Sequence, residues 1–201
     1  MPQLQHDVVS LLRDVLPRGS VLAEEAAPTW LVRPGRAECG DVWPLVQGVY
    51  RSLTLRELPE QMPRRERRRL DAVITYPNGR QRVLEVDERQ HFTSSRMITL
   101  DFYGGVRTAF SVAAWRHRCH ELRGREPSGG FARRCPPLFP DAGGRHGQRA
   151  FRDFLADTLP IAHGWLPTMR VSNDEARTVL AGADPHGQMG ELVSAKTLTN
   201  E

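Results

Sequence analysis

Residues 70–91, Leu-Asp-Ala-Val-Ile-Thr-Tyr-Pro-Asn-Gly-Arg-Gln-Arg-Val-Leu-Glu-Val-Asp-Glu-Arg-Gln-His, read as a β-hairpin that carries three carboxylates towards one end. Pro77 presets φ for the start of the turn and Gly79 supplies the positive φ that follows it. A three-residue loop over Pro77 to Gly79 sets Tyr76 opposite Arg80 and Asp71 opposite Glu85. Asp71, Glu85 and Asp87 then share one face. The other face carries Leu70, Ala72, Ile74, Tyr76, Leu84 and Val86, apolar enough to lie on a helical layer. A two-residue loop at Asn78-Gly79 would move Glu85 and Asp87 into that apolar set, at the cost of burying unpaired carboxylates.

Val83-Leu84-Glu85-Val86-Asp87 embeds its acids in the composition of a buried strand, so those acids need a partner. A hard divalent cation, Mg²⁺ or Mn²⁺, is one that could serve Asp71, Glu85 and Asp87 together. The bland alternative is a solvated hairpin face. Just beyond the strand, His91 is a candidate acid or base because its ordinary pKa lies near working pH. Gln90 could orient a water. Against these stand a surface histidine past the strand end and a glutamine bonded to a neighbouring strand.

Asp71, a hairpin, then Glu85-x-Asp87-x-x-x-His91 resembles the very-short-patch-repair-like endonuclease branch of the PD-(D/E)XK nuclease superfamily. A second patch is similar in the same way. Gln148 to Leu159 has helical spacing, and Gly164-Trp-Leu-Pro-Thr-Met-Arg-Val171 reads as a strand that would close the sheet. The resemblance implies a restriction-endonuclease-like α/β fold, a mixed sheet flanked by helices, and metal-assisted hydrolysis of phosphodiester bonds. Asp71 and Glu85, with the carbonyl of Val86, would hold the ion, and Asp87 would be a third ligand or an orienting group. The sequence departs from the family in one respect. The superfamily's lysine, two residues after the second acid, is Asp87 here, and the only lysine in the chain is Lys196.

The net charge of +4 and a pI near 9.4 suit a nucleic-acid partner, which the nuclease resemblance implies is DNA. Nearly all of the basic side chains are arginines, which a GC-rich coding bias would also produce. Clustering is more specific: Arg64-Arg-Glu-Arg-Arg-Arg69 runs into Asp71. Arg67, Arg68 and Arg69, with Arg96 and Arg149, are the candidate phosphate contacts.

With 201 residues the chain has room for one sizeable core. We expect a single domain over 1–172, a loop-rich insertion at about 124–147 and a tail over 173–201. Leu4 to Leu16 spaces its apolar residues as an amphipathic helix stopped by Pro17. Thr29 to Val32 suggests a strand, Asp41 an N-cap for a helix through Leu53, and Gly105 to Arg123 another helix. The 124–147 loop is expected either to order on DNA or to be a variable surface insertion, and the last 15 residues to be mobile beyond a short helix over Glu175 to Leu180.

Cys39, Cys119 and Cys135 match no paired zinc spacing, so a structural zinc built from Cys119, Cys135, His117, His120 and His146 is disfavoured. Without an apolar run of 18 residues or a leader pattern, the expectation is a cytoplasmic protein with no membrane partner, and a homodimer is one option. Three functions stay open: a Mg²⁺-dependent nuclease, an inactive nucleic-acid-binding or regulatory protein on the same fold, and a scaffold with structural acids.

Overall fold

A computed structural model describes residues 3–63 and 69–198. Helix α1 (Gln3–Val15) leads into β1 (Val21–Glu24), followed by two single helical turns, α2 (Thr29–Val32) and α3 (Arg36–Cys39), and then α4 (Trp43–Thr54). The hairpin is β2 (Ala72–Thr75) and β3 (Gln81–Asp87). Next come α5 (Ser94–Leu100), α6 (Val112–Glu121), the long α7 (Gly144–Ala162) and β4 (Leu166–Ser172), with α8 (Asn173–Leu180) and α9 (Pro185–Leu198) closing the described chain.

The strands form one mixed sheet in the order β1-β2-β3-β4, antiparallel except for the parallel pair β3 and β4. Parallel neighbours need a long crossover, which α5, α6 and α7 supply. The turn chemistry sets the register: Ala72 pairs with Leu84 and Thr75 with Gln81, while Gly79 takes φ of 79° and donates its amide to Tyr76. Extending that pairing by one residue places Asp71 opposite Glu85.

Both sheet faces are covered. Ala72, Ile74, Leu84 and Val86, with Met169 and Val171, pack under α1, α8 and α9. Val73 and Val83 lie in a second core with residues of α4, α5, α6 and α7, so Glu85 and Asp87 point into a helix-covered layer and not into solvent. That explains the uninterrupted burial of Arg82 to Asp87. Leu70 departs from the expected alternation. Its amide bonds Ala26 just before the strand proper begins, and its side chain joins the second core.

Several local expectations are corrected. Thr29–Val32 is a helical turn, because Trp30 stacks on His163 at 4.7 Å and meets Trp165 edge-on, and this packing outweighs the β propensity of the segment. Asp41 lies in a short 3₁₀ turn and does not cap α4, although Pro44 does stand in its first turn. The helix expected from Gly105 starts only at Val112, where the Ser111 hydroxyl accepts the Ala114 amide. Ala109 instead bridges to the edge of β4.

The insertion is docked: Leu138 and Phe139 are buried and the Tyr50 hydroxyl donates to the Leu138 carbonyl at 2.7 Å, so DNA is not needed to order it there. Its exit is tight, since a Cβ on Gly144 would lie 2.1 Å from the Phe139 carbonyl oxygen. The tail over 173–198 is helical and packs on the sheet. Ser172 and Glu175 cap α8 reciprocally, and Met189 of α9 is buried with residues of α1. No helix among the described residues is long and apolar enough to cross a membrane.

Candidate metal centre

Strand β3 delivers Asp87 to the buried end of the sheet, and the short turn after it brings His91 back over that carboxylate. Helix α7 crosses the same face. Asp153 and Asp157, four residues apart, therefore point the same way, down onto Arg170 of β4. His91 Nδ1 lies 3.0 Å from Asp153 Oδ2 and 3.4 Å from Asp87 Oδ1. Among the described residues, Asp87, His91 and Asp153 each offer a ligand atom within 4.8 Å of the others, and this group could hold a metal ion.

Arg170, fully buried, binds all three aspartates. It reaches Asp87 Oδ1 at 2.6 Å through Nη1, Asp157 Oδ1 at 2.8 Å through Nε, and the Asp153 carbonyl at 3.0 Å through Nη2. The Trp115 indole donates to Asp87 Oδ2 at 2.6 Å. Arg96 and Tyr103 close the far side on Asp157 Oδ2 at 2.9 and 2.5 Å. The formal charges of Asp87, Asp153, Asp157, Arg96, Arg170 and His91 cancel when His91 is protonated. Buried ions persist only in such company.

Burial works against a charge on His91, but the carboxylates of Asp153 and Asp87 outweigh it and raise its pKa. Burial works against the Asp153 charge as well, but His91 and Arg170 outweigh it and hold that carboxyl far below the usual range. A raised histidine pKa stabilises the fold fully below the unfolded value near 6.5 and progressively less as pH rises through the folded value. Unfolding free energy measured by denaturant titration should therefore fall from pH 6.5 upward in wild type. His91→Gln should flatten that slope, and an unchanged slope would mean that His91 is neutral in the folded protein.

Of the expected ligands, Asp87 is in this group and Asp71 and Glu85 are not. Half-buried Asp71 accepts the Val86 amide at 2.7 Å. Glu85 is 3% exposed, pairs across the strands with Arg170, and adds to the field that favours the Arg170 charge. Gln90 donates to Glu88 at 2.5 Å, and its carbonyl accepts from Arg149 at 3.2 Å. That places Arg149, half-buried over Phe131, beside the His91 turn.

Arg96 corrects the expectation of a phosphate contact. It is 1% exposed and belongs to the internal network. Arg69 is exposed and pairs with Glu25 at 2.6 Å, while Arg67 and Arg68 lie outside the described residues. Burial pushes the Cys119 thiol up to about 12.

Sequence reasoning does not reach Asp153, Asp157, Arg170 and Trp115 as site residues. Two aspartates at helical spacing beside Phe154 were the available signal. Lys196 is a further correction. It is buried in α9, 2.8 Å from Glu175 and 5.2 Å from the centre of the Trp115 ring that binds Asp87. Comparison of the chain with family models, with curated proteins and with solved structures gave no match.

Proposed function

We propose that this chain is a divalent-metal-dependent nuclease with a restriction-endonuclease-like fold, acting on DNA through an ion held by Asp87, His91 and Asp153. The observation that carries this reading is that His91 Nδ1 lies beside both carboxylates, with one ligand atom of each residue within 4.8 Å of the others. Octahedral ligands at about 2.1 Å from an ion sit roughly 3 Å from one another, close to the 3.0 and 3.4 Å separating His91 from the two carboxylates.

Two oxygens and one imidazole nitrogen suit Mn²⁺ better than Mg²⁺, which prefers oxygen throughout. Such an ion would polarise a phosphoryl oxygen and acidify a bound water. The chain's own groups do the rest. His91 must release its Nδ1 proton to become a ligand, so affinity should rise with pH. Arg170 and Trp115 fix the two oxygens of Asp87 in orientation, as partners of metal ligands do. Arg149, at the turn that carries His91, is placed to meet a phosphate.

A second reading, an inactive nucleic-acid-binding or regulatory protein, draws on Arg170 and Trp115, which already bind both oxygens of Asp87. Incubating the purified protein with plasmid and with linear single-stranded DNA in Mn²⁺, Mg²⁺ or EDTA separates the two. The nuclease reading expects cleavage in Mn²⁺, less in Mg²⁺ and none in EDTA. No cleavage under any of these conditions would favour the second reading.

A further inference from the structure

On the opposite sheet face, at the start of β3, Arg82 is 4% exposed, and its Nε and Nη1 are buried with no hydrogen-bond partner. Burial works against its charge, its neighbours are the neutral Tyr76 phenol and the like-charged Arg80, and among the described residues no carboxylate pairs with it. The contrast with Arg170 is sharp. A guanidinium withdrawn from water without an anion is costly, and folds keep one where an anion will meet it.

Arg82 lines a cleft of about 670 Å³ between the hairpin turn, the end of α1, the start of β4 and α9. That volume lies within the range of small-molecule sites, roughly 300–1,000 Å³. Arg80 and Arg107 stand at its wall, both exposed, and among the described residues no acidic side chain lines it. The Tyr76 hydroxyl, buried beside the Arg82 guanidinium, adds a polar group that can donate. Trp165, Leu166, Pro17 and Val193 supply apolar surface.

We propose that this cleft binds a small organic anion, with a carboxylate or phosphate head on Arg82 and an apolar body against Trp165 and Leu166. A planar oxyanion head matches the guanidinium fork, and charge-assisted hydrogen bonds are the strong kind. A duplex backbone does not reach a side chain this deep, which is why the ligand is small. The site is independent of the metal centre: Arg82 is five residues from Asp87 along β3 and on the other face, so neither stands or falls with the other.

Thermal unfolding and quenching of tryptophan fluorescence in the full chain test this, with phenyl phosphate and benzoate as probes and phenol as the neutral control. Either anion should raise the melting temperature of wild type and phenol should not. Which anion does so identifies the head group. Arg82→Met should fold, because it removes an uncompensated charge, and should weaken binding by about tenfold or more. Arg107→Ala, at an exposed position, should weaken it by a smaller factor, which keeps the test decisive if Arg82→Met does not fold. No stabilisation by either anion at millimolar concentration would overturn the proposal. So would equal shifts in wild type and both variants, or phenol acting as well as the anions.

Discussion

Arg170→Met should destabilise this protein by about 3–5 kcal/mol, the usual result of removing one partner from a buried ion pair. Arg170 is the shared counter-ion of Asp87, Asp153 and Asp157, none of them more than 1% exposed. Its loss leaves Asp87 with His91 and the indole of Trp115, Asp153 with His91, and Asp157 with Arg96 and Tyr103, so two cations face three buried carboxylates. Domains of this size are stable by about 5–15 kcal/mol, so the variant should melt far below wild type. Arg51→Ala is the control, since the Arg51–Glu57 pair is exposed and such pairs contribute about 0–1 kcal/mol. Equal effects of the two substitutions on chemical denaturation would mean that the Arg170 network is not what holds α7 to the sheet.

The second large effect is on catalysis. His91→Ala should lower Mn²⁺-dependent cleavage on the order of a hundredfold or more, because it deletes one of three ligands and the only one without a negative charge to bury. His91 is partly exposed and lies at the edge of the network, so this variant should still fold. Asp153→Asn should abolish cleavage as well, with some loss of stability. Asp71→Asn should leave most of the activity, since Asp71 binds the Val86 amide outside the trio. If cleavage instead survives His91→Ala and disappears in Asp71→Asn, the ion belongs with Asp71 and Glu85.

The hairpin was legible because local chemistry decides it. Pro77 and Gly79 set the turn, the turn sets the register, and the register puts Glu85 and Asp87 on one face. Helix α7 and strand β4 were legible from apolar spacing. The partner of the buried acids was not. Arg170 stands 83 residues from Asp87 in sequence, and only the parallel crossover brings it alongside. Nothing in the spacing of an arginine marks it as a counter-ion. A metal and a guanidinium answer the same electrostatic need, so sequence alone could not choose between them for Asp87.

Other misses share a cause. Strand β1 is four residues long and half exposed, α2 follows the demands of Trp30, and α9 has no clean apolar stripe. Lys196 is remote from the site in sequence, at the far end of a weakly patterned tail. Once Met189 is buried against α1, the same helix carries Lys196 to Trp115.

The central claim is that Asp87, His91 and Asp153 hold a divalent ion, and calorimetric titration with Mn²⁺ tests it most directly. It should be run below the His91 pKa in two buffers of different ionisation enthalpy. The expected result is one ion bound per chain with release of about one proton, since His91 must be neutral to act as a ligand, and no binding in Asp153→Asn. Binding that releases no proton and persists in both Asp153→Asn and His91→Ala, or no binding in wild type at all, would contradict it.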